Sequence, residues 1–251
     1  MGRYRFIIEY DGKPYAGWQR QPDQPSVQGA IEAALGRLGE PDPIVQGAGR
    51  TDAGVHALAQ VAHSDLTRPW TGFRLAEALN AHLRKAGDPV AIIDCEPCDD
   101  EFHARFSATQ RAYLYRIIDH RAPLAVDAGR AWNVKTPLDV DAMNKAAARL
   151  VGEHDFTTFR STECQARSPV KTLGTLVATR VQRHGRSEVE ITTTARSYLH
   201  NQVRSLAGCL RLVGCGKWSP DDAAASLAAM DRTACAPVAP AHGLYLTSVT
   251  Y

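Results

Sequence analysis

Between two strand-like runs, Ile44-Val45-Gln46 and Leu58 to His63, the chain carries Gly47-Ala48-Gly49-Arg50-Thr51-Asp52-Ala53-Gly54-Val55-His56. Three glycines there permit positive φ and close approach of backbone, so the stretch reads as a loop held between strands. It presents one carboxylate, Asp52, two residues from a guanidinium, Arg50. If the two pack together, the cation favours the ionised carboxylate. Turn chemistry alone also explains Gly and Asp at such a place, although a tight hairpin needs only one or two glycines. The residues by themselves define a candidate site and no more.

Strand-like and helix-like segments alternate along the rest of the chain. Arg3 to Tyr10 alternates as a strand and turns at Asp11-Gly12. Ser26 can cap a helix to about Leu38, with Ile31, Leu35 and Leu38 on one face and Gly39 and Pro41 as stops. Phe73 to Leu83 reads as a second helix, Val90 to Asp94 as a strand, and Ala112 to Asp119 as another that echoes the first. Asp139 starts a helix to Leu150, closed by Gly152. Val170 to Val181 and Ser187 to Ala195, rich in Thr and Val, form two long strands joined at His184-Gly185. His200 to Val213 is a long helix. Ser219-Pro220-Asp221-Asp222 opens another with a cap, a first-turn proline and acids near the dipole. Leu244 to Tyr251 is a closing strand. This succession predicts an α+β protein with mainly antiparallel sheet.

No apolar run approaches the roughly 20 residues of a membrane span. The opening Met1 to Phe6 goes straight into strand alternation, without a signal-peptide core. A cytoplasmic protein without membrane contact is expected. Net charge is only +2, but 23 of the 29 basic residues are Arg. Arginine offers a planar fork suited to phosphates and bases; a GC-rich genome would produce the same bias. Six cysteines include one C-x-x-C, Cys95 to Cys98, with no second pair at zinc spacing. They read as incidental thiols, and the nine histidines lack ligand spacing. No metal is expected.

Gly49 to His56 resembles the signature of the tRNA pseudouridine synthase A family. So, in the same order, do Tyr10-Asp11-Gly12 with Gly17-Trp18-Gln19-Arg20-Gln21, Phe102 to Thr109 leading to Tyr113, Val203-Arg204 with Gly208, and Gly243 to Leu246. The resemblance covers essentially the whole chain. It implies two similar α/β halves sharing a continuous, mainly antiparallel sheet with the active cleft between them. The expected domains are 1–108, carrying the catalytic Asp loop, and 109–251. It further implies an isomerase that converts uridine to pseudouridine at positions 38, 39 and 40 of the tRNA anticodon stem-loop, without a cofactor, as a homodimer. One departure stands out: His200-Asn201-Gln202 precedes Val203-Arg204 where many relatives carry a hydrophobic-Met pair.

The resemblance gives Asp52 the role of essential nucleophile, and ordinary chemistry agrees that an ionised carboxylate suits it. Attack at C1′, attack at C6 and abstraction of the C2′ proton all remain open. Tyr113 can stack on a base or move the C5 proton; a core strand tyrosine is the plainer reading. Arg204, inside an apolar helix, needs a partner if buried, which Asp52 or a target phosphate would supply. A stem uridine must be flipped out at a cost of a few kcal/mol. Trp18, Gln19, Arg20, His56 and Arg105 are candidate RNA contacts that would offset this, and Arg50 joins Asp52 in the catalytic set. The stretch Arg160 to Arg167 is a further candidate binding loop. The rival readings are a non-catalytic RNA-binding homologue and a synthase acting on another RNA.

Overall fold

The structure, a computed structural model, describes residues 2–183 and 185–251. It divides into two compact units, Met1–Thr109 with Tyr245–Tyr251, and Gln110–Leu244. Among the described residues there are ten strands and five α-helices, and the pairing is mainly antiparallel, as the sequence predicts.

The first unit is built on β1 (Gly2–Tyr10), β2 (Gln46–Gly47), β3 (His56–Leu66), β4 (Val90–Cys98) and β10 (Leu244–Thr250). Their order is β4–β1–β3–β10, with β2 also on β3. β1 lies antiparallel to both β3 and β4, whereas β10 runs parallel to β3. The sheet is backed by α1 (Val27–Arg37) and α2 (Gly72–Ala86). Ser26 caps α1 by accepting the Gly29 N–H, the role its hydroxyl suits. Leu75, Leu79 and Leu83 recur at helical spacing on α2 and are fully buried or nearly so. Each such leucine contributes about 1.5–3 kcal/mol of burial free energy. β4 bulges at Ile93, and Asn80 of α2 pins that bulge by bonding both the N–H and the C=O of Ile92.

The second unit holds β5 (Gln110–Ile118), β6 (Trp132–Asn133), β7 (Gly152–Asp155), β8 (Val170–Arg183) and β9 (Arg186–Ala195), in the order β5–β9–β8–β7 with β6 on β5. α3 (Val140–Leu150), α4 (Gln202–Gly214) and α5 (Pro220–Ala228) pack with it. β8 and β9 form the long hairpin expected from their composition. Of the turn expected at His184-Gly185, His184 lies outside the described residues; Gly185 has φ +74°. Ser219 and Asp222 close a full capping box on α5. α4 begins at Gln202 rather than His200. The Gln202 side chain accepts the Leu199 N–H at 2.8 Å, and Asn201 is left-handed at φ +64°. That conformation stops the helix from extending backward.

No helix among the described residues is long and apolar enough to cross a membrane.

Candidate active site

The Asp52 loop is fixed from three sides within the first unit. Gly17 and Asp52 form an antiparallel bridge, and Trp18 donates its N–H to the Thr51 carbonyl at 3.0 Å. The Tyr10 and Thr51 hydroxyls share a hydrogen bond at 2.8 Å. Upstream, the Gln60 amide donates to the Gly49 carbonyl at 2.8 Å and Ala48 N–H to the Val61 carbonyl at 2.7 Å. Thr51 is buried, Asp52 is half-buried and Arg50 is exposed. The backbone is therefore anchored on either side of a carboxylate that still reaches the surface.

Glycine is required where strands and loop approach. Gly17 has φ +118°, and a Cβ there would lie 2.6 Å from the Thr51 carbonyl oxygen. A Cβ on Gly12 would lie 2.0 Å from the Val55 carbonyl oxygen, and one on Gly47 would enter the Trp18 indole at 2.5 Å. These contacts exceed anything a side chain tolerates.

Arg50 does not pair with Asp52. Among the described residues its guanidinium forms no ion pair and no hydrogen bond. The condition set by the sequence, that the two pack together, is therefore not met: Arg50 is exposed, Thr51 is buried and Asp52 is half-buried. The exposed cation is left facing solvent.

Trp18 and His56 also differ from expectation. Trp18 is 3% exposed, its indole filling the slot opened by Gly47 beside Tyr10. His56 is 2% exposed and stacks on Tyr245 with ring centroids 4.8 Å apart. Its Nδ1 lies 3.1 Å from both the Gly12 N–H nitrogen and Asp11 Oδ1. One ring nitrogen cannot accept from the first and donate to the second at once, so the proton on His56 selects between them. Both residues hold the loop from beneath instead of presenting a surface to RNA. Gln19 and Arg20 are exposed, with Arg20 paired to the buried Glu32 at 3.2 Å. Arg105 is exposed and lies against the Phe106 ring.

In the second unit, Tyr113 on β5 stands opposite Thr193 on β9 and is 8% exposed. Its ring meets that of Tyr198 edge-on, centroids 5.1 Å apart and planes at 89°. The Tyr198 hydroxyl lies 3.2 Å from Thr193 Oγ1, and burial raises its pKa. Arg204 does not project to solvent from the helix edge. Its Nε donates to the Ala239 carbonyl at 2.8 Å and Nη1 to Asn201 Oδ1 at 2.7 Å. Two acceptors thus orient a half-buried guanidinium. One of them is Asn201, the left-handed residue before α4.

Sequence reasoning missed Tyr10 with Thr51, Tyr198, and Asn201 as the fixers of these side chains. The cysteines behave as packing groups: all six are free, and burial pushes the Cys95 thiol up to about 12. No cluster of three or more His, Cys, Asp or Glu suited to a metal occurs among the described residues.

A half-buried carboxylate on an anchored loop can act as a nucleophile or base, and the exposed Arg50 beside it can meet a phosphate. Comparison with known proteins adds identity to that chemistry. The family model described as "tRNA pseudouridine synthase" matches residues 6–107 and 146–251. A "tRNA pseudouridine synthase A" of Rhizobium meliloti (strain 1021) is 58% identical over 251 residues, covering 100% of both chains. One from Ruegeria sp. (strain TM1040) is 58% identical over 251 residues, covering 100% of this chain and 96% of its own. One from Jannaschia sp. (strain CCS1) is 56% identical over the same length, covering 95% of its own. Against a solved chain of "Crystal Structure of a Cbf5-Nop10-Gar1 Complex" the TM-score is 0.36 at 12% identity, over 84% of this chain and 45% of that one. That likeness is too low to show a shared fold.

Proposed function

The chain belongs to the tRNA pseudouridine synthase family, and from that premise we propose that Asp52 is the nucleophile that isomerises uridine at positions 38, 39 and 40 of the tRNA anticodon stem-loop. The observation that carries the assignment is the Gly17–Asp52 bridge, which fixes the backbone of a carboxylate still open to the surface.

The reaction breaks the N1–C1′ bond and forms C5–C1′, with the C5 proton lost and N1 protonated. No electron enters or leaves. Asp52 acts by attack at C1′ or C6, or by taking the C2′ proton. Tyr113 stacks on the base or shuttles the C5 proton, its oxygen taking that proton as its own O–H proton passes on. Arg204, oriented by Ala239 and Asn201, supplies positive charge that needs no reorganisation. Arg50, Gln19, Arg20 and Arg105 take the RNA backbone, offsetting the few kcal/mol that base flipping costs. The protein acts as a homodimer in the cytoplasm, where tRNA is found.

The test is tritium release from tRNA carrying [5-³H]uridine, with a parallel binding assay, for the native protein and Asp52→Asn. Release by the native protein alone, at equal RNA affinity, is expected. Release by Asp52→Asn at the native rate removes Asp52 from the chemistry, and native product at other uridines removes the 38–40 assignment.

A further inference from the structure

Phe106 is 71% exposed, a costly position for a phenyl ring, yet the turn that carries it is rigidly built. The His103 ring accepts the backbone N–H groups of Arg105 and Phe106 at Nδ1, at 3.1 and 3.4 Å. Ser107 donates its N–H to the His103 carbonyl, and its hydroxyl accepts the His103 N–H. Ala104 donates its N–H to His63 at 3.2 Å. The Phe106 ring is therefore held outward by its own turn.

Its neighbours are cationic or aromatic. The His103 ring lies 4.3 Å away at 38°, and the Arg105 guanidinium carbon is 5.6 Å from the ring centre. Phe73, another exposed phenylalanine, has no ring or cation–π contact among the described residues. The turn is also tied to the Asp52 loop: Ala104 packs with Ala48 and Val61 in one buried cluster. Ala48 stands two residues before the exposed Arg50. A largely exposed ring beside an arginine complements an occupant that carries both a flat π-face and negative charge. An unpaired nucleotide has both.

We propose that Phe106 is a stacking platform for an unpaired base of the RNA substrate, with Arg105 on the adjoining phosphate. The proposal rests on the reading of this chain as a tRNA-modifying enzyme and names a contact that the reading leaves unassigned. Stacking acts through the ring face and is insensitive to salt, whereas a phosphate contact is salt-dependent.

The experiment measures binding of a tRNA anticodon stem-loop across a salt series, for native protein, Phe106→Ala, Phe106→Leu, Phe106→Trp and Arg105→Ala. Phe106→Ala and Phe106→Leu are expected to bind roughly 5- to 100-fold more weakly with an unchanged salt slope, and Phe106→Trp to bind like the native protein. Arg105→Ala should lower the salt slope by about one. Native-like binding by Phe106→Ala, or full rescue by Leu, overturns the platform. So does loss of self-association in Phe106→Ala, which would make the ring a contact between copies. If Phe106→Ala folds poorly, the exposed indole of Phe106→Trp decides in its place: its fluorescence should change on adding the single-stranded loop but not a duplex, and no change with the loop overturns the platform. Tritium release by the native protein separates the two readings. Release with native-like Phe106→Ala binding sinks only the platform, and weakened binding without release sinks only the synthase assignment.

Discussion

The phenol oxygen of Tyr10 lies 2.8 Å from the hydroxyl oxygen of Thr51, inside the protein and one residue before Asp52. Tyr10 ends β1, which is paired on both sides and cannot shift alone. The bond therefore transfers the position of the sheet to the Asp52 loop. Tyr10→Phe is expected to lower kcat about tenfold, the effect of a small loss of reacting geometry, while KM for tRNA stays within about twofold. Stability should fall by about 1 kcal/mol for one buried hydrogen bond. Steady-state kinetics and urea unfolding measure both. Thr51→Val should do the same, and the double variant no worse than either single one, because they share one interaction. An unchanged kcat in Tyr10→Phe would make the bond structural only.

Two glycines should respond in opposite directions to a single methyl group. At Gly12 the added Cβ would lie 2.0 Å from the Val55 carbonyl oxygen, which is backbone and cannot swing aside. Gly12→Ala is expected to cost about 1–3 kcal/mol or more, as overpacking does, and to release the Gly12 N–H from His56. At Gly36, within α1, the same methyl meets nothing within 4 Å. Gly36→Ala should stabilise by about 0.5–1 kcal/mol through helix propensity. Thermal melts of the two variants check the pair, and equal shifts of the same sign would contradict the geometry.

The contrast between these glycines shows what a sequence reveals. Element types were legible because local rules decide them: Ser26 and Ser219 cap helices, Leu75, Leu79 and Leu83 repeat at helical spacing, and Thr-rich runs pair as β8 and β9. The Asp52 loop was legible because its glycines are spaced for close approach. The burial of Trp18 was not, since it depends on a slot left by a distant Gly47. A contact between Arg50 and Asp52 could be offered only conditionally from their spacing, because proximity in sequence does not fix how a loop turns its side chains, and in the folded loop Arg50 is exposed. Phe106 carried no local signal: only its exposure in the folded turn distinguishes it from a core aromatic.

Arg204 should not tolerate lysine. Its Nε and Nη1 reach two acceptors in different directions, the Ala239 carbonyl and Asn201 Oδ1. A lysine ammonium is a single point on a flexible stem and cannot reproduce that fork. Arg204→Lys is expected to lower kcat/KM by at least about tenfold, equivalent to roughly 1.4 kcal/mol of transition-state stabilisation. Asn201→Ala should give a smaller loss in the same direction. Turnover by Arg204→Lys at the native rate would show that charge alone suffices.

His63 should make stability fall on mild acidification. Its ring is 2% exposed, and Nδ1 accepts the Ala104 N–H at 3.2 Å, which only the unprotonated nitrogen can do. Burial, with help from the neighbouring His103 and the Arg3 guanidinium, lowers its pKa from 6.5 to about 4. A pKa depressed on folding means that the unfolded chain binds this proton first. Between pH 6.5 and about 4 the unfolded state holds more protons, so stability rises with pH across that window and is lost on descending it. The loss from this one group is at most about 3 kcal/mol. His63→Asn sets a non-titrating oxygen near the position of Nδ1 and keeps an acceptor for Ala104. Urea midpoints at about pH 7.5, 6 and 5 should therefore fall less steeply for His63→Asn than for the native protein. Carboxylates titrating in the same range act on both proteins alike, so they cancel in the difference. Parallel curves would mean that His63 takes up its proton in the folded state without cost, contrary to its burial.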